Sequence, residues 1–266
     1  MTEYENEQYE LIKAWQNAEP GIVSQAMDFC MKPIVWIAEK AIPQKAIEGV
    51  LVGANAIAET LTDQGDVLRD AKVQTIDELR SKDLKISDEL ANSVHNWALS
   101  IAAAEGGSVG LLGFAGLAID IPALITMCLR VIHKIGVCYG FVFEGDEGRQ
   151  IVMSVMSAAG ANTMKEKAAA IAFLQQVNVL IATTSWKKLS ESKAIMAVAI
   201  TAIRTLAKQL GINITKRKAA QAVPLIGATV GAAMNAALLN DVAWAARRTF
   251  QKMWLCENHK ISQQDI

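Results

Sequence analysis

Residues 105–140, EGGSVGLLGFAGLAIDIPALITMCLRVIHKIGVCYG, constrain the fold of this chain more than any other stretch. Five glycines lie between Gly106 and Gly116. Each costs about 1 kcal/mol of helix propensity, so a packing or binding reason is expected for them. The segment is too apolar for an exposed loop and too rich in glycine for an ordinary helix. Its Asp120-Ile121-Pro122 step is expected to end one helix and start another, with Asp120 as N-cap and Pro122 in the first turn.

The apolar spacing is helical along the whole chain, and no strand pattern appears. The expectation is an all-α protein. It would form a single compact multi-helix domain of about ten helices around a glycine-rich central helix pair. An N-terminal helical arm would span 1–39, the main domain 40–256 and a tail 257–266. Helices are expected over 3–18, over 22–40 with a break at Pro33, and over 43–61, where Ile47, Val50, Leu51, Ala54, Ile57, Ala58 and Leu61 share a face. Residues 63–85 read as short exposed turns. Further helices follow over 87–104 with Ser87 as N-cap, 120–139 with Gly140 as C-cap, 144–159, 163–183, 192–210 and 224–256. On the first of these, His95 is expected at the surface or in a cap. Gly106, Gly110 and Gly113 fall near one face, and Gly227 and Gly231 form a GxxxG, so these five glycines are expected at close helix contacts. The two small-residue segments are expected to pair with each other.

Hydrophobic residues make up 52% of the 266 and charged residues 20%. So much apolar surface calls for a large core, a ligand cavity, a partner or a membrane face. Two segments approach membrane-spanning length, 109–132 and 219–246, but both contain polar or charged residues and are read as buried helices. The N-terminal MTEYENEQYE has no basic and apolar leader pattern, so no secretory signal is expected. Four scattered cysteines read as reduced thiols of a cytosolic protein. The net charge of −1 gives no reason to expect nucleic acid. The charge is uneven, however. Residues 186–218 hold Lys187, Lys188, Lys193, Arg204, Lys208, Lys216, Arg217 and Lys218 against the single acid Glu191. Such an excess attracts anionic lipid or an acidic partner, or is balanced by the acidic N-terminal half.

The chain carries no GxSxG, HExxH or P-loop pattern. Three dispersed histidines do not suggest a metal site, and no cofactor is expected. The polar residues in apolar context, Glu105, Asp120, Arg130, His133 and Asn235, either pin helix junctions or form the polar base of a cavity. The Glu105-Gly106-Gly107 start, Gly110 and Gly113, the Asp120-Ile121-Pro122 step, the Tyr139-Gly140 helix end and the Val223-Pro224-x-x-Gly227-Ala228-x-x-Gly231-Ala232-x-x-Asn235 run together resemble the EcsC protein family over about residues 40 to 255. The resemblance implies a helical bacterial protein associated with transport or the membrane, with Glu105, Asp120, Arg130, Tyr139 and Asn235 at signature positions. It implies no reaction.

Three functions remain open from sequence. The first is a non-enzymatic protein that binds an amphiphile or an anionic membrane surface from the cytoplasmic side, as an accessory to transport or secretion and with a membrane protein as partner. The second is a hydrolase or metal-dependent enzyme built around Glu105, Asp120 and His133. The third is a protein–protein interaction module.

Overall fold

A computed structural model describes residues 1–20, 44–109, 113–190 and 227–262, with side chains described over 1–20, 49–102, 122–190 and 235–262. The expected helices 22–40 and 192–210 lie outside the described residues. So do Gly110, Cys30 and the cations Lys193, Arg204, Lys208, Lys216, Arg217 and Lys218.

The described residues form ten helices and no strand: α1 (Glu3–Asn17), α2 (Gln44–Leu61), α3 (Gly65–Ala71), α4 (Ile76–Arg80), α5 (Leu84–Val109), α6 (Gly113–Cys138), α7 (Gly145–Ala159), α8 (Met164–Thr183), α9 (Trp186–Ser190) and α10 (Gly227–Glu257). The central element is α10. It packs most extensively on α5, and also on α6, α7, α8 and α1, while α2 covers the other side of α6.

Local chemistry explains most helix ends. Thr2 and Glu5 form a capping box at α1. The other end of α1 is closed from afar, because the Lys167 ammonium of α8 donates to the carbonyls of Trp15 and Ala18 and stacks 4.9 Å from the Trp15 ring. Thr163 caps α8 by accepting from the Glu166 N–H at 3.2 Å. Its box is incomplete, since the Glu166 carboxylate accepts from the Asn162 N–H instead.

Four expectations are corrected. Asp120 is not an N-cap and Pro122 starts no helix, because α6 runs unbroken through Pro122. A proline inside a helix removes one hydrogen bond and costs about 3 kcal/mol. The burial of α6 between α2, α5 and α10 outweighs that cost, with Leu124, Ile125, Cys128, Leu129, Ile132 and Ile135 all in the core. Helix α5 runs to Val109 and α6 begins at Gly113. Second, Ser87 does not cap α5; it is buried inside it. The helix starts three residues earlier, where the Asp83 carboxylate accepts from the Lys85 N–H at 2.8 Å. Third, Ile57 and Leu61 point outward, 52% and 49% exposed. Fourth, His95 is buried.

The C-terminus of α6 fixes the aromatic centre. The Gly140 N–H donates to the Val137 carbonyl and the Phe141 N–H to the Gly136 carbonyl, both at 2.9 Å. These two bonds make a Schellman motif with Gly140 at φ +82°. The turn drops Phe141 and Phe143 beside Phe250 and Trp186, with centroids 5.0–6.5 Å apart. A Cβ on Gly140 would lie 2.6–2.7 Å from the backbone and Cβ of Arg80, whose Nε donates to the Gly140 carbonyl at 3.0 Å. Gly140→Ala is therefore expected to cost about 2 kcal/mol through left-handed strain and displacement of α4. Urea unfolding of the variant against the parent checks this.

Candidate functional site

Arg130 and His133 on helix α6 and Tyr139 just past its end were singled out from sequence, and the structure gives each its own surroundings. Arg130 lies with its guanidinium 5.1 Å from the Trp97 ring centre. Its Nε is buried and has no hydrogen-bond partner. Lys134, one turn on, is 5.7 Å from the same ring and is paired with Asp66. His133 faces the other way, its Nε2 3.1 Å from Asn55 Oδ1 of α2 and its ring edge-on to Phe143. Burial pushes the His133 imidazole down to about 4, so it is neutral at pH 7. Tyr139 lies about 13 Å beyond Arg130 along the axis and donates to Asp88. Arg130, His133 and Tyr139 therefore do not form one constellation. Asn235 is half-buried on α10. The helix backbones at Glu105, Gly106, Gly113, Asp120, Gly227 and Gly231 are described, but their side chains and close contacts lie outside the described set.

The strongest polar feature is one that sequence reasoning missed. Asp88 is 3% exposed and accepts from the hydroxyls of Tyr4 and Tyr139 and from Gln251 Nε2. Gln251 in turn accepts from Arg248 at 2.8 Å, and both donate to Gln8 Oε1. Four helices, α1, α5, α6 and α10, are thus tied at one level. Both tyrosine pKa values lie above the ordinary value, raised first by burial and then by Asp88. A signal for this hub was present in the sequence. Leu84, Asp88, Ala91, His95, Ala98 and Ala102 repeat at four- and three-residue spacing, so Asp88 and His95 occupy core positions of α5. His95 uses its place to bond Asn240 of α10 at 3.1 Å. It also meets the Trp244 ring edge-on at 5.5 Å, while the guanidiniums of Arg247 and Arg248 lie 4.4 and 4.9 Å from that ring.

These pairings fix the directions of the helices. Tyr139 opposite Asp88 and Arg130 opposite Trp97 make α5 and α6 antiparallel. Gln251 with Asp88, Arg247 with Asn92 and Asn240 with His95 make α5 and α10 antiparallel. The contact of His133 Nε2 with Asn55 Oδ1 lays α2 against α6. The C-terminus of α5 and the N-termini of α6 and α10 therefore lie toward one pole; the close contacts by which the glycine segment and the final helix were expected to pair lie outside the described residues. Toward this pole the chain is charge-poor, with uncharged runs at 106–119, 121–129 and 227–240 broken by Glu105 before the first and Asp120 between the first two. Below it lie tryptophan–cation groups, Trp97 with Arg130 and Lys134, then Trp244 with Arg247 and Arg248.

Helix α2 presents an uncharged surface on the flank. Its outward residues Gly49, Val52, Gly53, Ala56, Ile57, Thr60 and Leu61 are all exposed and none is charged. A Cβ built on Gly49 or Gly53 would meet nothing within 4 Å. The outer face of a water-facing helix is ordinarily charged or polar. Two of the basic candidates, Lys187 and Lys188, are exposed on α9, and Lys187 lies 3.9 Å from Asp77. Among the described residues no helix is long and apolar enough to cross a membrane, and no cluster of three or more His, Cys, Asp or Glu is placed to hold a metal ion. Cys128, Cys138 and Cys256 are buried free thiols.

The chain is 22% identical over 193 residues, 73% of its own length and 67% of the other's, to the Bacillus subtilis (strain 168) protein designated "Uncharacterized protein YdbA". No solved structure matches it. The family model described as the EcsC protein family matches residues 6–255, which includes Asp88, Tyr139 and Gln251 of the hub and all but the last two residues of α10. The chain belongs to the EcsC protein family.

Proposed function

We propose that this protein is a non-enzymatic, peripheral membrane-binding protein that lays its charge-poor pole and the flank of α2 on an anionic lipid surface. The observation that carries the reading is the outward face of α2, seven exposed residues without a charge. Two physical terms add. Taking an exposed Val or Ile side chain out of water is worth about 1.5–3 kcal/mol when burial is complete, and Val52 and Ile57 are each about half exposed. Each Lys or Arg near an anionic surface adds about 1 kcal/mol; in this reading that contribution comes from Lys193, Arg204, Lys208, Lys216, Arg217 and Lys218, since Lys187 lies beside Asp77 of α4, away from the pole. Tryptophans beside cations, as at Trp97 and Trp244, suit the headgroup layer. In this role the protein sits on the cytoplasmic face of a membrane and acts as an accessory to transport or secretion machinery. The hydrolase alternative draws no support from His133, which is tied to Asn55 and surrounded by core.

Flotation on vesicles tests the reading. The protein is expected to float with phosphatidylethanolamine–phosphatidylglycerol vesicles and to stay at the bottom with pure phosphatidylcholine. The Val52→Asp/Ile57→Asp variant is expected to lose at least about tenfold in partitioning, with its melting temperature unchanged because both sites are exposed. Equal flotation of parent and variant would sink the proposal. So would a dimer of the parent that the variant breaks while neither form floats, since a second copy would then be what covers the face.

A further inference from the structure

Two cations share the Trp97 ring, and among the described residues only one of them has a carboxylate partner. Lys134 is paired with Asp66. Arg130, one turn earlier on the same face of α6, has no carboxylate partner among the described residues, and its buried Nε donates to nothing. Other buried side-chain atoms lack a partner as well, Arg247 Nε among them; what sets Arg130 apart is the second cation, Lys134, on the same ring. A half-buried guanidinium with no counter-charge of its own among the described residues, beside the Lys134–Asp66 pair, has an electrostatic demand for an anion. The planar fork of arginine matches the oxygens of a phosphate group, and Trp97 holds the guanidinium in place by stacking. The site also lies at a telling level. Arg130 is the first charge after the uncharged run 121–129 of α6, and Asn55 against His133 brings α2 alongside within one turn.

We infer that Arg130, oriented by Trp97 and supported by Lys134, is a phosphate-binding site at the boundary between the charge-poor pole and the polar body of the protein. The inference rests on the membrane-surface reading for its favoured ligand, the phosphodiester of a lipid headgroup. The same chemistry would take a free phosphate. Trp97 and Lys134 are positioning residues, and Arg130 is the group that touches the ligand.

The test is equilibrium binding to the full-length protein of three probes: a short-chain phosphatidylglycerol below its micelle concentration, glycerol alone and inorganic phosphate. Short-chain phosphatidylglycerol is expected to bind and to raise the melting temperature, while glycerol does neither. Arg130→Gln is expected to weaken phosphatidylglycerol binding at least tenfold, and Arg130→Lys to restore part of the loss. Circular dichroism and the melting curve establish that each variant is folded, and the lysine variant keeps the test decisive if the glutamine variant is not. Inorganic phosphate binding as tightly as the lipid, with the same dependence on Arg130, would support the site and assign it to soluble phosphate. Binding of both probes unchanged in Arg130→Gln, or binding of neither, would overturn it. A folded Arg130→Gln protein that still floats fully, with short-chain lipid binding unaltered, would remove this site while leaving the membrane-surface reading intact. Loss of flotation by the parent protein removes that reading first.

Discussion

Asp88→Ala is expected to destabilise the protein by about 3–5 kcal/mol, the range for removing one partner from a buried charged network. The arithmetic is local. Three donors lose their acceptor at once: the Tyr4 hydroxyl, the Tyr139 hydroxyl and Gln251 Nε2. A buried donor left unsatisfied costs about 1–3 kcal/mol. The same carboxylate helps hold the charge of Arg248, whose pKa is lowered by burial and raised again by Tyr139 and Asp88. Asp88→Asn keeps the shape but turns an N–H2 toward one of its donors and removes the charge, so a smaller loss is expected. Tyr139→Phe removes only one spoke and should cost less than either. Chemical denaturation of the three variants, compared as a series, checks the order. Equal stability of Asp88→Ala and the parent would mean that the hub does not hold the four helices together.

Acid is expected to unfold the protein through His133. Its folded pKa, about 4, lies below the ordinary value of 6.5, and the cause is burial. Between those two values the unfolded chain binds a proton that the folded chain refuses. The stabilisation is therefore complete above pH 6.5 and is lost as pH falls toward 4. At about 1.36 kcal/mol per pKa unit, the whole window is worth about 3 kcal/mol. His95 is shifted in the same direction, again chiefly by burial, and adds to the slope. Carboxylates titrate near the low end of the window, so the informative quantity is a difference. His133→Gln keeps a donor for Asn55, and its unfolding free energy should vary less between pH 7 and pH 4.5 than that of the parent. Parallel pH profiles would contradict the assignment.

How far the sequence reveals this architecture depends on the range of the force at work. Helix spacing is a local property, and the stripes of α2 and α10 and the stop at Gly140 are readable from it. Caps are nearly local: Thr2, Thr163 and the short turns α3 and α4 follow from a few neighbouring residues. The helix starts misread from sequence lie where tertiary burial overrides a local rule. Pro122 looks like a helix start, yet α6 passes through it because three helices bury its faces. Ser87 looks like a cap, yet Asp83 does that work. The Asp88 hub was hardest to foresee, because Tyr4 is 84 residues away and Gln251 is 163. Only its core position on α5 marks it. Of the polar residues singled out for a site, Arg130, His133 and Tyr139 proved to be buried or half-buried and specifically engaged. Lying along one helix and its end did not make them share a site, because their side chains point in different directions.

The central claim is that the charge-poor pole and the α2 flank are the membrane-facing surface. Hydrogen–deuterium exchange with and without phosphatidylglycerol-containing vesicles tests it most directly, because it reports which helices are covered. Added vesicles are expected to slow exchange over 44–61, the C-terminal turns of α5 and the N-terminal turns of α6 and α10, leaving α3, α4 and the α6–α7 turn unchanged. Unchanged exchange at the pole, or protection confined to the basic run 186–218, would contradict the account.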